Sequence, residues 1–309
     1  AAPLRVNGAR LNEWLTKFDS IGRTPTGINR VAYSEADLAG RAFTQQLLRD
    51  AGFAPRIDTA GNIYARLDGT NRALAPILIG SHVDSVTDGG NFDGPVGSFG
   101  AIEVARTLRE KGTRLRHPLD VVIWQNEEGG TTGSKTAIGE MNDTELAKVA
   151  RSGKTIREGI GIIGGDVSRL SESVKKKGDI ACYIELHIEQ GPILEDEGID
   201  IGVVTHGQGL KWLQVTLTGR DAHTGSTPMP KRRNASLGRA RVIELVHEVA
   251  MDYQPNAVGA VGHIEVYPNS RNIIAGKTVF TIDIRSPDKA VLDEMDERIR
   301  GGIARQRRQ

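Results

Sequence analysis

Two continuous apolar runs that end in polar residues constrain the fold of this chain more than any other feature. APILIGSHVDS turns polar at Ser81–His82, and HPLDVVIWQNEEGG does so near Asn126. A run that is apolar at every position predicts a strand buried on both faces. Apolar residues recur at helical spacing in 36–52 and 97–112. Strands that alternate with helices predict an α/β fold, with a mostly parallel sheet covered by helices.

The pattern changes after about residue 209. The strand-like segments are KWLQVTLTGRDA, AVGHIEVYP and KTVFTIDIRSP, and the amphipathic helices are SLGRARVIELVHEVAMDY and KAVLDEMDERIR. The order strand, helix, strand, strand, helix is that of an inserted α+β ferredoxin-like domain without its last strand. We therefore predict two domains, residues 1–209 and 210–309.

Composition excludes several classes of partner. The 40 Lys and Arg residues nearly balance the 39 Asp and Glu residues, so the charge gives no case for nucleic acid or an anionic membrane. No apolar run approaches the roughly 20 residues that a membrane helix needs. The single cysteine, Cys182, allows no disulfide within the chain, which favours a reducing, cytoplasmic setting. Its apolar neighbours predict a buried thiol.

Metal-type ligands gather at one predicted edge of the sheet, where ligands of open α/β sheets bind beyond the carboxyl ends of the strands. His82, the pair Glu127–Glu128 and His187 each follow a strand-like run, and Asp93 lies in a Gly-rich turn before a helix. Taken singly, such residues usually pack, form turns or face solvent. Together they predict a metal site, because imidazole and carboxylate ligands suit zinc, manganese, cobalt and nickel.

The same residues suit hydrolytic chemistry. A carboxylate can bridge two ions held about 3.5–4 Å apart. Of two adjacent glutamates, one can bind metal while the other accepts a proton from water. In His82-Val83-Asp84, the carboxylate can orient a ligating imidazole.

Four motifs carry a resemblance to a known family. They resemble, in order and spacing, the hydantoinase/carbamoylase branch of the M20 metallopeptidase-like amidohydrolases: GSHVDSVTDGGNFDGPVG, WQNEEGGTTGS, YIELHIEQGP and DAHTGSTPM. That branch includes N-carbamoyl-L-amino acid hydrolases, β-ureidopropionase and allantoate amidohydrolase. The resemblance runs from about GINRVAYSEAD to the last helix. HIEQG separates the chain from the family's peptidases, which usually carry a carboxylate where His187 stands.

The resemblance implies a role for each candidate of the first domain. His82 and His187 would bind one metal ion, and Asp93 would bridge it to a second ion. Glu128 would bind that second ion. Glu127 would be the general acid and base.

Further roles follow from the same resemblance. Asp84 would orient the first histidine ligand, Gln190 would contact the substrate, and His223 would stabilise the oxyanion. Asn272 and Arg285 would hold the substrate carboxylate, for which a guanidinium fork is well shaped. From the residues alone, His223 is equally explained as a turn residue, and Arg285 as an ion-pair partner of a nearby aspartate.

The resemblance also predicts the surroundings of the site. The second domain would be a lid that forms a homodimer, and two divalent ions, zinc foremost, would bind per subunit of the complete protein. The family's remaining histidine ligand, near its C-terminus, has no counterpart among the seven histidines, of which His263 is the last. The catalytic domain is therefore expected to lack its C-terminal return segment, and the second metal site to lack one histidine.

The leading hypothesis is a hydrolase of the carbamoyl C–N bond in N-carbamoyl-L-amino acids or ureido acids. Its products would be the amino acid, ammonia and carbon dioxide. Three alternatives stay open. An allantoate amidohydrolase would differ in substrate, and an M20 aminoacylase or peptidase would share the metal centre. A truncated, non-catalytic protein would bind a carboxylate and at most one tight metal ion.

Overall fold

A computed structural model describes residues 3–306, which fall into two compact units. The first unit ends at Ile193 and the second begins at Leu194. The division into domains at residues 209 and 210 stays a prediction. The predicted domains begin at residue 1 and end at residue 309. Their outermost residues, 1–2 and 307–309, lie outside the described residues.

The first unit alternates helices with strands, and strands form at both apolar runs as predicted. The helices are α1 (Gly8–Phe18), α2 (Glu35–Asp50), α3 (Pro95–Glu110), α4 (Thr132–Ala137), α5 (Asp143–Leu146), α6 (Ile156–Ile162), a 3-10 helix (Val167–Ser173) and the one-turn α7 (Ile193–Asp196), which begins at the unit's last residue. The strands are β1 (Arg56–Ile57), β2 (Ile63–Leu67), β3 (Ile77–His82), β4 (Leu119–Trp124) and β5 (Cys182–Ile184).

The five strands form a mixed sheet in the order β1-β2-β4-β3-β5. Strand β3 pairs in parallel with β4 and β5, whereas β2 is antiparallel to β4 and β1 to β2. The α/β class is confirmed, but the prediction of a mostly parallel sheet was wrong. The Asp58 carboxylate accepts the backbone N–H groups of Ala60 and Asn62. This tight turn joins β1 directly to β2, so that pair runs antiparallel.

Strand β4 is buried at every position because both faces of the sheet are covered. Alternate side chains of a strand point to opposite faces. Val121 packs in the core beneath α1, α2 and α3, where the rings of Phe18 and Phe99 meet edge-on at 4.9 Å. Val122 packs in a second cluster with Trp124. The prediction of a strand buried on both faces is confirmed, and it gives the ends of β3 and β4 a firm support.

Strand β5 lies at the edge of the sheet. Its three residues are exposed, although they are part of an apolar run. The prediction that Cys182 is a buried thiol was therefore wrong. An apolar run indicates a strand, but it does not tell whether the strand takes a central or an edge position.

The second unit contains every strand and helix that its pattern predicts. They are β6 (Gly209–Thr218), β7 (Ala222–His223), a 3-10 helix (Met229–Lys231), α8 (Ala235–Asp252), β8 (Val258–Tyr267), β9 (Ile273–Ile274), β10 (Lys277–Ser286) and α9 (Lys289–Gln306). Strand β10 lies between β6 and β8 and is antiparallel to both. This is the layout of a split β–α–β unit, in which α8 connects the outer strands.

One core holds the second unit together. Val242 of α8, Phe280 of β10 and Met295 of α9 are buried in the same cluster. The role of this unit as a lid stays a prediction. Across residues 3–306, no helix combines the length and apolarity that crossing a membrane requires.

A buried ion pair fastens α1 to α3, and we expect its loss to destabilise the first unit. The Glu103 side chain is fully buried and accepts hydrogen bonds from Arg10 at 2.7 and 2.8 Å, from the Asn7 backbone N–H at 2.8 Å and from the Thr107 hydroxyl at 3.0 Å. Replacing Glu103 with Ala leaves Arg10 Nε, the Asn7 N–H and the Thr107 hydroxyl without an acceptor, which should lower the free energy of unfolding by about 3–5 kcal/mol. Urea denaturation measures this change.

The matched control is Glu110→Ala. Glu110 accepts from the same Arg10 side chain, but it lies at the surface. Exposed ion pairs contribute little, so the urea midpoint of this variant should stay close to that of the wild type. If both substitutions destabilised the protein equally, the buried Arg10–Glu103 pair would not be the source of the stability.

Candidate metal centre and catalytic groups

Three strand ends bring the candidate ligands of the first unit together. Strand β3 ends at His82, Glu127 and Glu128 follow β4, and His187 follows β5. Because these three strands are parallel, their carboxyl ends meet at one edge of the sheet. Asp93 reaches the same edge from the turn before α3.

The ligand atoms converge at this edge. His187 Nε2 lies 3.2 Å from Asp93 Oδ1, and His82 Nε2 lies 3.7 Å from the same oxygen. His82 Nε2 is also 3.8 Å from Glu127 Oε2. Ligand atoms lie within 4.8 Å of one another in two groups of three residues. One group is His82, Asp93 and His187, and the other is His82, Glu127 and Glu128. The structure thus brings together all the ligands predicted in the first unit.

Hydrogen bonds to main-chain carbonyls fix the tautomers of both histidines. His82 Nδ1 lies 3.0 Å from the carbonyl oxygen of Asp84, and His187 Nδ1 lies 2.7 Å from that of Ile188. A carbonyl only accepts, so each Nδ1 carries the proton. In the neutral ring the lone pair is then on Nε2, the atom that faces Asp93, which is the tautomer that a metal ligand requires.

The Asp84 carboxylate supports the two glutamates. Its Oδ1 and Oδ2 accept the backbone N–H groups of Glu127 and Glu128 at 3.2 and 3.1 Å. The same carboxylate is 3.6 Å from His82 Nδ1, so the shorter contact to this imidazole is made by the Asp84 main chain. Asp84 is buried, and its position allows one residue to hold both the β3 and the β4 ends of the site.

The charges at this edge favour a bound cation. Burial lowers the pKa of His82, but the nearby carboxylates of Asp84 and Asp93 outweigh it and raise the pKa to about 11, so without a metal ion they stabilise a protonated ring, whose Nε2 proton a metal ion would replace. The neighbouring His82 ring in turn lowers the pKa of Asp93. Burial raises the pKa of Glu127 and of Glu128 above their usual range. The carboxylates thus stabilise positive charge among them, and a raised pKa suits a residue that accepts a proton from water near neutral pH.

The donor set fits a divalent metal ion. Asp93 Oδ1 is buried without a hydrogen-bond partner, although it faces the Nε2 atoms of His82 and His187. A buried carboxylate oxygen without a partner is costly unless something else neutralises it. An ion bound by these three residues would do so, and imidazole with carboxylate is a ligand set found for zinc, manganese, cobalt and nickel.

Gly94 is required by the close approach of the Asp93 turn to His82. Gly94 has φ +81°, and a Cβ placed on it would lie 2.6 Å from the His82 ring. The Ser98 hydroxyl, on α3, donates to the His82 carbonyl at 2.6 Å. The sequence FDGPVG therefore turns tightly enough to bring Asp93 beside the imidazole and then starts a helix at Pro95.

Gln190 lies against the candidate ligands. Its side-chain amide donates to Asp93 Oδ2, and its backbone has a positive φ of 57°. Its predicted contact with substrate stays a prediction, but the structure places it at the ligand edge.

In the second unit, His223 and Asn272 are neighbours. His223 pairs with Ile273 across β7 and β9, and the Thr224 N–H donates to the Asn272 carbonyl at 2.9 Å. His223 Nδ1 accepts the backbone N–H groups of Gly225 and Ser226 at 3.1 and 3.2 Å. Since this nitrogen accepts, the proton of the neutral ring is on Nε2, which is the arrangement that a donor to an oxyanion needs.

Arg285 lies elsewhere in this unit. It is eight residues beyond Lys277 on β10, or about 26 Å along the strand, whereas Asn272 precedes the start of that strand. Arg285 forms an ion pair with Asp283, with Nη2 and Oδ2 2.8 Å apart. This is the alternative that the residues alone left open. The structure therefore groups His223 with Asn272, and it pairs Arg285 with a carboxylate of its own strand.

Sequence patterns did not single out Ser81, Tyr183 and Glu185, which form hydrogen bonds behind the candidate ligands. The available signal was a polar residue inside each of the apolar runs LIGSH and YIELH. A polar group among strand residues needs a partner when it is buried, and here the two runs supply partners for each other.

Comparisons with known proteins agree with this geometry. The profile of Peptidase family M20/M25/M40 matches residues 78–299. The chain is 43% identical over 302 residues to the N-carbamoyl-L-amino-acid amidohydrolase of Rhizobium meliloti, covering 96% of this chain and 72% of that protein. It is 33% identical over 297 residues to the allantoate amidohydrolase of Escherichia coli, covering 94% and 72%. The crystal structure of a hydantoinase/carbamoylase family amidase from Burkholderia vietnamiensis superposes with a TM-score of 0.83 at 41% identity, covering 99% of this chain and 75% of that one.

Proposed function

The chain belongs to peptidase family M20/M25/M40, and from this we propose that it is a metal-dependent amidohydrolase that cleaves the carbamoyl C–N bond of N-carbamoyl-L-amino acids. The observation that carries the proposal is the convergence of the Nε2 atoms of His82 and His187 on the Asp93 oxygen that has no hydrogen-bond partner. The similarity to N-carbamoyl-L-amino-acid amidohydrolases from several bacteria supports the substrate class.

The proposed metal content is two divalent ions, of which the second is held more weakly because the remaining histidine ligand of the family has no counterpart in this sequence. His82 and His187 would hold one ion, Asp93 would contact both, and Glu128 would hold the second. Zinc is the first choice, with manganese, cobalt and nickel as the others that this ligand set accepts. When bound, such ions polarise a carbonyl oxygen and lower the pKa of water.

The protein side chains would carry the proton transfers. Glu127 accepts a proton from the water that attacks the carbamoyl carbon and passes it to the leaving amine, which departs as the free amino acid. The other product, carbamate, decomposes to ammonia and carbon dioxide. Support for this role comes from the position of Glu127 beside His82 and from its raised pKa, which is caused by burial.

The remaining roles extend the proposal to the substrate. His223 donates from Nε2 to the developing oxyanion, and Gln190, Asn272 and Arg285 bind the substrate's polar groups. The tautomer of His223 and the guanidinium fork of Arg285 support these assignments. Asp84 positions the two glutamates and one histidine through the hydrogen bonds described above.

Two further features complete the proposal. We infer a homodimer through residues 210–309. The open face of the three-stranded sheet supports this, since Trp212 on β6 is 71% exposed. We also infer a reducing, cytoplasmic setting, because Cys182 is the only cysteine and carries a free thiol.

The test compares substrates that differ only at the scissile group. We expect the purified protein, supplied in turn with Zn²⁺, Mn²⁺, Co²⁺ or Ni²⁺, to release the amino acid from an N-carbamoyl-L-amino acid. It should cleave the N-acetyl analogue at least about 10²-fold more slowly, because the analogue lacks the terminal amide's hydrogen bonds. Allantoate is included because of the Escherichia coli relative. Amine release is measured as kcat/KM.

Two results would change the assignment. Preferred cleavage of the N-acetyl compound would make the protein an aminoacylase, and preferred cleavage of allantoate would make it an allantoate amidohydrolase. Activity that survives exhaustive removal of metal by a chelator would contradict the metal-dependent mechanism itself.

A further inference from the structure

The Glu185 carboxylate binds two hydroxyl groups beside the candidate metal centre. Its Oε1 accepts from the Ser81 hydroxyl at 2.6 Å, and its Oε2 accepts from the Tyr183 hydroxyl at 2.6 Å. Ser81 is the residue before His82 on β3, and its side chain is fully buried. Glu185 thus links the end of β3 to the segment that leads to His187.

The same network reaches the third strand of the site. The Tyr183 hydroxyl accepts from Trp124 Nε1 at 2.9 Å, and the two rings stand edge-on with centroids 6.0 Å apart. Trp124 is the last residue of β4, three positions before Glu127. Through one carboxylate and one phenol, the ends of β3, β4 and β5 are therefore tied to one another.

Backbone pairing between β3 and β5 stops before the histidine ligands, and side-chain hydrogen bonds link the two segments beyond that point. The parallel ladder between β3 and β5 ends at Ile79 and Ile184, so neither His82 nor His187 lies within it. Beyond Ile184 the segment packs closely on α3. A Cβ on Gly97 would lie 2.2 Å from the Leu186 carbonyl oxygen. The Ser81–Glu185 bond lies between the end of the ladder and both histidines.

Glu185 is poorly placed to act as a ligand itself. Both of its oxygens are occupied by hydroxyl donors. Among residues 3–306, it joins neither group of converging ligand atoms. Its contacts instead determine where the chain leaves β5.

We propose that Glu185 is a positioning residue of the metal centre: by accepting from Ser81 and Tyr183, it sets the position of His187 relative to His82. This inference rests on the proposed metal-dependent function. The Glu185 carboxylate thus binds no metal ion but determines the geometry of the His187 ligand. Mutation of residues that hydrogen-bond to metal ligands, without binding the metal themselves, commonly weakens metal affinity by about 10- to 100-fold.

The experiment titrates the metal-free protein with Co²⁺ and follows the visible absorption of the bound ion, with a competing chelator to measure affinity. We expect Ser81→Ala and Glu185→Gln each to weaken Co²⁺ binding by about 10-fold and to alter the absorption bands, since the ligand geometry changes. The matched control is Ser173→Ala. The hydroxyl of Ser173 is also buried and bonds Thr59, but in a segment remote in sequence from the ligands. The Co²⁺ affinity and absorption spectrum of the Ser173→Ala variant should match those of the wild type.

The double variant separates positioning from general loosening. If Ser81 acts through Glu185, the loss in Ser81→Ala/Glu185→Gln equals that of the larger single change. Additive losses, or wild-type affinity and spectra in both single variants, would overturn the proposal. A wild-type protein that binds no Co²⁺ would overturn the proposed function and this inference together. Wild-type binding with unaltered variants would overturn only this inference.

Discussion

Glu127→Gln is expected to lower kcat by about 10²- to 10⁴-fold while leaving the metal content unchanged. The amide keeps the size of the side chain but cannot accept a proton from water. The backbone N–H of residue 127 still donates to Asp84, as it does at 3.2 Å in the native protein, so the main chain should stay in place. The loss then reports the proton transfer and not the architecture of the site.

The measurement pairs steady-state kinetics with metal analysis of the same preparation. Glu140→Gln, a change of the same kind at an exposed carboxylate, should retain wild-type values in both. The pH profile gives a second readout. Burial raises the pKa of Glu127, and a base works only when ionised, so wild-type activity should fall as the pH drops through that raised pKa. The acid limb should be absent in Glu127→Gln. Near-normal turnover in the variant would exclude Glu127 as the base.

The ligands could be predicted from the sequence because they lie at strand ends. An apolar run shows where a parallel strand stops, and neighbouring parallel strands stop at the same edge. His82, Glu127 and Glu128 needed no further information than that. Asp93 is held there by the turn at Gly94, whose φ of +81° only glycine adopts easily.

The structural features that could not be predicted from the sequence depend on how the strands pair. The antiparallel pairing of β2 with β4, the exposure of Cys182 on the edge strand β5, and the Ser81–Glu185 bond all follow from the strand order. Strand order is set by contacts between segments far apart in the chain, and local periodicity carries no record of it. The main-chain contact of Asp84 with His82 is of the same kind: HVD indicates the pair, but not that a carbonyl makes the shorter bond.

Asp93→Ala is the second large effect that we expect, and it acts on metal binding itself. Oδ1 of Asp93 faces both Nε2 atoms, at 3.2 Å from His187 and 3.7 Å from His82. Removing a ligand should weaken metal binding by more than the roughly 100-fold that marks the upper range for outer partners. Activity should fall with it.

Thermal unfolding with and without metal measures this change apart from activity. A ligand that binds only the folded state stabilises it by about 4 kcal/mol at a thousand times its Kd, so saturating Zn²⁺ should raise the Tm of the wild type and leave that of Asp93→Ala unchanged. Asp88→Ala is the control. This carboxylate lies in the same loop, but it accepts from Thr26 and Asn29 at the surface. If Asp88→Ala and Asp93→Ala both kept the full metal-dependent rise in Tm, the metal centre would have to lie elsewhere. A rise lost only in Asp93→Ala would place the ion at Asp93 Oδ1, which lies beside His82 and His187 and is, among residues 3–306, the buried carboxylate oxygen left without a hydrogen-bond partner.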